Sequence, residues 1–154
     1  MIEILVVVAI IGILVAILVA NFSDARENSK VKALRTTLSE MQLALEVYKA
    51  QNGRYPTDTT ALVPSFIHDL PVASNFGRGA CTFVYSVDPA NGSYYKLTAN
   101  RCANSASTDT GVGITQNDEF ARCPSTCTAT GNCIPSDAAF FKSMAVYSAG
   151  GECL

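Results

Sequence analysis

One uninterrupted apolar run near the start constrains this chain of 154 residues more than any other feature. Residues 4–20 read ILVVVAIIGILVAILVA and contain no polar side chain. As an α-helix they would extend over about 26 Å at 1.5 Å per residue, close to the shortest length that crosses a hydrocarbon core. Glu3 stands directly before them, and a carboxylate at that depth is costly unless a cation pairs with it.

Three interpretations of this run compete. A cleaved secretory signal would begin with basic residues, whereas the charged residue before the run is Glu3. In a single-pass anchor, the basic residues after the run would place the body in the cytoplasm, where six cysteines fit poorly. A helix that lies first in a membrane and later in the core of a polymer gives Glu3 a purpose, so we favour it. The basic residues are Arg26, Lys30, Lys32 and Arg35.

The composition narrows the class of protein. Apolar residues make up 49% of the chain and charged residues 16%, which excludes intrinsic disorder and argues against a freely soluble cytosolic enzyme. The formal net charge of −2 gives the whole chain no obvious attraction to duplex nucleic acid. Six cysteines against one histidine indicate an oxidising compartment.

The helical pattern continues beyond the apolar run. No glycine or proline occurs from residue 14 to residue 52, and apolar residues recur in its second half at spacings of three and four. Gly53 and Pro56 then provide a stop. We therefore predict one helix from Ile2 to Asn52, about 75 Å long. Its apolar stripe should dock on the body of the chain, with a coiled-coil dimer as the alternative. The stripe consists of Val31, Leu34, Leu38, Met41, Leu45 and Tyr48.

The remaining residues predict a small head. Residues 81–87 and 94–99 are rich in β-branched and aromatic side chains and predict two strands. Turn-forming residues 88–93 join them into an antiparallel hairpin. Residues 112–115 are a candidate third strand, and residues 138–144 a short apolar helix or strand.

We thus predict an α+β fold in which a long N-terminal spine helix packs on a small antiparallel sheet with disulfide-stapled loops. The spine comprises residues 1–52, of which residues 1–20 form the membrane and filament-core segment, and the head comprises residues 53–154.

Disulfides suit the head, since much of it has little apolar core of its own. Cys81 and Cys102 flank the predicted hairpin, which favours a disulfide between them. The other cysteines leave their pairing open, and their spacing lacks the paired C-x-x-C pattern of common structural zinc sites. They are Cys123, Cys127, Cys133 and Cys153.

We expect no enzyme activity, cofactor or metal. His68 is the only histidine, and nothing in the sequence marks a nucleophile near it for a Ser-His-Asp or Cys-His arrangement. No C-x-x-C-H haem attachment motif occurs. Residues 116–119, QNDE, lack the alternating acidic pattern of a calcium loop and are better interpreted as a surface turn.

The N-terminal third of the chain resembles the type IV pilins and the pseudopilins of type II secretion. The resemblance rests on residues 2–14, IEILVVVAIIGIL, with one glutamate near the start, and on residues 32–49. The close of the helix, NGRYP at residues 52–56, agrees with it. Beyond Pro56 the resemblance thins to a general architecture, the pilin fold.

The resemblance implies a route of assembly. The apolar helix holds a prepilin in the inner membrane, a prepilin peptidase removes a short basic leader, and the new N-terminus is usually methylated. An ATPase-driven inner-membrane assembly platform then adds the subunit to a helical homopolymer of identical subunits. The family's glutamate, here Glu3, is expected to neutralise the N-terminal amine of a neighbouring subunit.

This chain departs from the family pattern in two respects. Family members usually begin with Phe two residues further upstream, which leaves the exact partner of Glu3 open. Many also carry a proline near the end of the apolar run, where this chain has Ala20 and Asn21. Gly12 is then the weakest helical position, about 1 kcal/mol worse than Ala. We expect bending or local melting between Gly12 and Asn21.

By this resemblance we predict the major subunit of a type IV pilus, an extracellular filament for adhesion, twitching motility or DNA uptake. Nucleic acid would be bound at the level of the filament only. The alternatives are a type II secretion pseudopilin and a minor tip pilin that acts as a binding module. The tied-back C-terminus of many pilins favours pairing Cys123 with Cys153 and Cys127 with Cys133.

Overall fold

The computed structural model describes residues 2–76, 81–100, 102, 119–121, 143–152 and 154, with the side chains of residues 18–28 left out. These residues form a helix, two short 3-10 helices and a small sheet. The helix is α1 (Ile2–Asn52), the 3-10 helices are Thr59–Leu62 and Ala73–Phe76, and the strands are β1 (Thr82–Val87), β2 (Tyr95–Asn100) and β3 (Met144–Tyr147).

Helix α1 ends where the sequence places its stop. Gly53 has φ 76°, a left-handed conformation that glycine adopts at little cost, and its N–H donates to the carbonyl of Lys49 at 2.7 Å. The side-chain amide of Asn52 donates to the carbonyl of Tyr48 at 2.9 Å. The side chains that join its two halves lie outside the described set, so one continuous spine, and bending between Gly12 and Asn21, stay predictions.

The predicted stripe of α1 is the helix's contribution to the core. Leu34, Leu38 and Leu45 are fully buried, and Met41 is 4% exposed. Their spacing of three and four residues puts them on one face of the helix. That face packs against the sheet, whose buried side chains include Leu97 of β2. The prediction that the stripe docks on the body of the same chain is confirmed.

The sheet is antiparallel with the order β1-β2-β3, and β2 is its central strand. The predicted hairpin is confirmed, with Tyr85 opposite Leu97 and Val87 opposite Tyr95. Cys81 and Cys102 form a disulfide with a Cα–Cα distance of 4.4 Å, which confirms the pairing expected at the ends of the hairpin. The class α+β, with a small antiparallel sheet and a disulfide, is therefore established.

The third strand that the structure describes is β3, which begins at the last residue of the predicted apolar piece. The candidate at residues 112–115 and most of the apolar piece at residues 138–144 lie outside the described residues. The strand that pairs with β2 is β3, where Val146 lies opposite Leu97 and Met144 opposite Ala99. Met144, Ala145 and Val146 are all buried. A strand of four residues gives too short an alternation to be recognised from its sequence, so tertiary pairing decides it.

The segment between α1 and β1 lies beside the helix. Asp58 caps the first 3-10 helix, since its carboxylate accepts from the N–H of Thr60 at 2.7 Å. Leu62 is fully buried. Further on, the ring of Phe66 lies 5.3 Å from the ring of Tyr48 of α1. The segment thus follows the surface of α1 closely enough to form one wall of a groove.

Candidate assembly surface

The first turns of α1 carry an apolar surface that the rest of the described chain leaves uncovered. Twelve large apolar side chains there are between 50 and 77% exposed. Burying one such side chain stabilises by roughly 1.5–3 kcal/mol, so together they are a strong drive to associate with lipid or protein. They are Ile2, Ile4, Leu5, Val6, Val7, Val8, Ile10, Ile11, Ile13, Leu14, Val15 and Ile17.

Both residues that the sequence singles out for assembly lie in this surface. Glu3 is exposed and is the acidic residue of the helix's first turn. Gly12 is helical, and a Cβ built on it would meet nothing within 4 Å. Their roles in assembly stay predictions.

Over the part of the chain that the structure describes, no helical stretch is both long and apolar enough to cross a membrane.

The end of α1 is clamped onto the β1–β2 loop. Lys49 donates from Nζ to the carbonyl of Ser93 at 3.1 Å and lies 4.4 Å from the centre of the Tyr55 ring. The N–H of Tyr55 donates to the carbonyl of Gly92 at 2.9 Å. Gly92 has φ 65°, and a Cβ there would lie 3.1 Å from the carbonyl oxygen of Tyr55, so this close approach requires glycine.

Tyr55 links the clamp to the core. Its hydroxyl donates to Oε1 of Glu46 at 2.8 Å, and its ring lies 4.5 Å from that of Tyr95. Burial, together with the hydrogen bond to the Glu46 carboxylate, raises the pKa of Tyr55 to about 12. The hydroxyl therefore stays protonated and keeps donating at any physiological pH.

Asp88 organises the β1–β2 loop from inside. Its carboxylate accepts from the N–H of Ala90 at 3.0 Å and from the hydroxyl and N–H of Ser93 at 2.8 and 3.3 Å. These donors, led by the N–H of Ala90, hold the pKa of Asp88 below its usual value. Residues 88–93 were predicted to form a turn from their composition, and that prediction did not include a role for the Asp88 carboxylate.

Two buried polar side chains on β2 were also missed. Lys96 is 1% exposed, and its Nζ donates to the carbonyl of Glu152 at 2.8 Å, which ties the C-terminal segment to the sheet. Tyr95 is fully buried, and no hydrogen bond to its hydroxyl is found within the described residues. A lysine is rarely buried unless it has a hydrogen-bond acceptor. The acceptor of Lys96 is 56 residues away in the chain, so the pattern of strand β2 does not predict that this lysine is buried.

A groove of about 780 Å³ lies between α1 and the segment that follows it along the surface. Leu43 of α1 is 66% exposed and Val72 of the opposite wall is 58% exposed. Glu40 and Asp69 are also among the residues that line it. Nothing in the one-dimensional sequence indicates it, because its two walls are brought together by the packing of the 56–76 segment on α1.

The structure gives no support to a catalytic or metal site among the residues that it describes. His68 and Asp69 are side by side at 3.4 Å, with side chains 96 and 82% exposed, as expected of a solvated loop. No group of three or more potential metal ligands occurs within the described ranges. Residues 116–118 of the weak calcium candidate lie outside them, and Glu119 is exposed. Four cysteines also lie outside the described residues, namely Cys123, Cys127, Cys133 and Cys153.

Comparison with known proteins decides the family. The chain is 30% identical over 100 residues to the type II secretion system core protein G of Klebsiella pneumoniae. The matched stretch is 64% of this chain and 71% of that protein. The chain belongs to the type IV pilin and type II secretion pseudopilin family.

Other members of the pilin and pseudopilin family agree. The type IV wide pilus major component PilA4 of Thermus thermophilus is 26% identical over 113 residues, 64% of this chain and 86% of its own length. The core protein G of Aeromonas hydrophila is 32% identical over 62 residues, 40% of this chain and 43% of its own length. The chain thus matches less than half of that relative. No family model matches the chain, and no solved structure matches it.

Proposed function

We propose that this chain is a non-enzymatic structural subunit that polymerises into a helical filament through residues 2–17 of α1. The apolar surface of twelve exposed side chains carries the proposal, since a folded head on an uncovered apolar rod needs other subunits or lipid to cover the rod. Before assembly the segment at residues 1–20 lies in the inner membrane, and residues 1–52 act as one spine below the head of residues 53–154.

In this proposal Glu3 neutralises the N-terminal amine of the next subunit. It is the lone charge in an otherwise apolar surface, and burial of that surface in a filament leaves a carboxylate that must find a cation. A prepilin peptidase and an inner-membrane platform are the partners that deliver the subunit. In a helical filament of identical copies, each contact joins two different surfaces of the chain. Such heterologous contacts generate open helical filaments.

Of the filaments that the family builds, we propose an extracellular type IV pilus in which this chain is the major subunit. The six cysteines favour an exposed and durable head. The proposed outputs of such a filament are adhesion, twitching motility or DNA uptake. The similarity to PilA4 of Thermus thermophilus, named a major component of a wide pilus, supports this choice.

A second candidate is a type II secretion pseudopilin in a short periplasmic filament. A specific observation favours it, namely that the relatives from Klebsiella pneumoniae and Aeromonas hydrophila are named core protein G of that system. Electron microscopy of the fraction sheared from native cells, with mass identification of the main band, separates the two. Long filaments made of this chain support the pilus, whereas retention of the chain at the membrane together with a secretion defect on deletion supports the pseudopilin.

We expect Glu3→Ala to reduce the filament yield at least about tenfold, because one unpaired N-terminal amine would then be buried at every subunit. The head should remain folded, since Glu3 lies outside the core. The measurement is the mass of filament per mass of chain after shearing, with Glu119→Ala as the control, another exposed carboxylate. Wild-type yield from the Glu3→Ala chain would contradict the role of Glu3.

A further inference from the structure

A second pocket, of about 380 Å³, lies in the head where the 56–76 segment meets the sheet. We call it the sheet pocket. Side chains from α1, the segment and two strands line it, among them Met41, Ala73, Phe83, Tyr85 and Leu97. A space of this size is unlike the close packing of a protein interior, where voids larger than a water molecule are few.

The lining of the sheet pocket carries no charge. None of the described residues that line it is Asp, Glu, Lys, Arg or His. Thr59 and Thr82 add hydroxyls to an otherwise largely apolar lining. An ionised ligand would lose its hydration here and gain no opposite charge, so the lining selects an uncharged molecule. Water finds few polar partners in such a site, so an apolar ligand displaces it at little cost.

The rings and the thioether of the lining suit an aromatic ligand. The hydroxyl of Tyr85 donates to the carbonyl of Pro56 at 2.8 Å, which fixes that ring. The ring of Phe83 lies 6.0 Å from the ring of Phe76 in an edge-to-face arrangement. Met41 is 4% exposed, and thioether sulfurs make favourable contacts with aromatic rings. Rings that are already held in place lose little freedom when a further ring packs on them.

The volume sets the size of the ligand. A dry apolar cavity of about 150 Å³ holds one benzene ring, so the sheet pocket has room for roughly two. We propose that the sheet pocket binds an uncharged aromatic molecule of about two rings, which packs on Phe83, Tyr85 and Met41. This activity belongs to the head alone and goes beyond assembly through residues 2–17.

Photolabelling with benzophenone, an uncharged two-ring probe whose excited carbonyl inserts into nearby C–H bonds, tests the proposal on the full chain in mild detergent. Leu97 is 1% exposed, so a label mapped to it by peptide mass reports the sheet pocket and not the outer surface. This label should saturate, with half-saturation at about 1 mM or below. Labelling of residues 2–17, which detergent surrounds, should rise in proportion to the probe. An absent or unsaturable label at Leu97 would overturn the proposal.

A blocking variant locates the site. Ala73→Phe places a ring in the sheet pocket and should lower the label at Leu97 about tenfold. Val84→Phe is the matched control, since it adds the same ring at an exposed position that does not line the pocket. Thr59→Phe repeats the block from a different element if Ala73→Phe unfolds the head, and denaturant unfolding checks each variant. Wild-type labelling in a folded blocking variant would overturn the site.

Competition defines the chemistry of the ligand. Excess naphthalene should suppress the label at Leu97 about tenfold, whereas naphthalenesulfonate and decane at the same concentration should not. Equal suppression by the sulfonate would overturn the selection for an uncharged molecule, and equal suppression by decane would overturn the selection for an aromatic one. These outcomes do not depend on assembly. Filaments without a saturable label leave the filament and remove the ligand site, and a saturable label without filaments does the reverse.

Discussion

At the scale of single residues, buried and half-buried charges hold the head in shape. The carboxylate of Asp88 accepts hydrogen bonds from Ala90 and Ser93 of its own loop. The carbonyl of Ser93 in turn accepts from Lys49 at the end of α1. The folded state keeps this carboxylate ionised at a lower pH than an unfolded chain would, so its ionisation stabilises the fold.

We expect Asp88→Asn to lower the free energy of unfolding at neutral pH, because an amide supplies one acceptor oxygen where the loop presents several donors. The native pKa of Asp88 is lowered, so its contribution is complete above the unfolded value of 3.8 and is lost as the pH falls through the native pKa. The difference between wild type and variant should therefore shrink below a pH of about 3.8.

The measurement for Asp88 is denaturant unfolding followed by tyrosine fluorescence, which suits a chain with six tyrosines and no tryptophan. Asp69→Asn is the matched control, since that carboxylate is 82% exposed, and it should unfold as the wild type does. A difference between Asp88→Asn and wild type that stays constant from neutral to strongly acidic pH would contradict the assigned role of the carboxylate.

At the scale of elements, α1 has two kinds of face in its second half. One face is fully buried against the sheet, and another carries the exposed Leu43 of the groove. The sequence predicts the first face from its spacing. It does not distinguish an exposed leucine from a buried one, because the identity of the covering neighbour depends on how the 56–76 segment packs.

Leu38 and Leu43 make a matched pair for testing that division. Leu38→Ala should lower the free energy of unfolding by about 2–5 kcal/mol, since it removes a fully buried side chain and leaves a cavity. Leu43→Ala should change it by less than about 0.5 kcal/mol, since Leu43 is 66% exposed. Denaturant unfolding of both chains in detergent measures this, and equal losses would show that the groove side of α1 is covered within one chain.

At the scale of the whole molecule, the residues that stabilise the head are not the apolar residues 2–17 that limit the solubility of the chain. Within the described residues, the buried core is built from α1 beyond residue 33, the 55–76 segment, the sheet with its flanking disulfide, and Phe120 and Ala121. None of the twelve exposed side chains contributes to it. The core of the head and the proposed assembly surface are therefore different parts of the same sequence.

We expect the purified full chain to be monomeric in mild detergent and to associate when the detergent is removed, because water then contacts twelve large apolar side chains. Sedimentation velocity before and after removal measures the shift, and unchanged near-ultraviolet circular dichroism shows that the head stays folded. Ile10→Asp should weaken association, whereas Val84→Asp should not. A chain that remains monomeric without detergent would contradict the role of this surface.

Several features were predictable because they depend on local patterns. The stop of α1 at Gly53, the stripe that enters the core and the β1–β2 hairpin all follow from spacing and turn-forming residues. The disulfide between Cys81 and Cys102 was predictable as well, since an antiparallel hairpin brings its two ends together. Strand β3 was not, because four residues carry too little pattern of their own.

The sequence alone determined that the chain has an apolar rod, a stripe for docking it to a head and a single acidic residue before the apolar run. These three features depend only on the order of residues along one helix. Only the tertiary structure decided which side of α1 stays open, where Lys96 finds its partner and that residues 56–76 form a groove beside α1. Such features depend on residues far apart in the chain, and their contacts exist only after the core has packed.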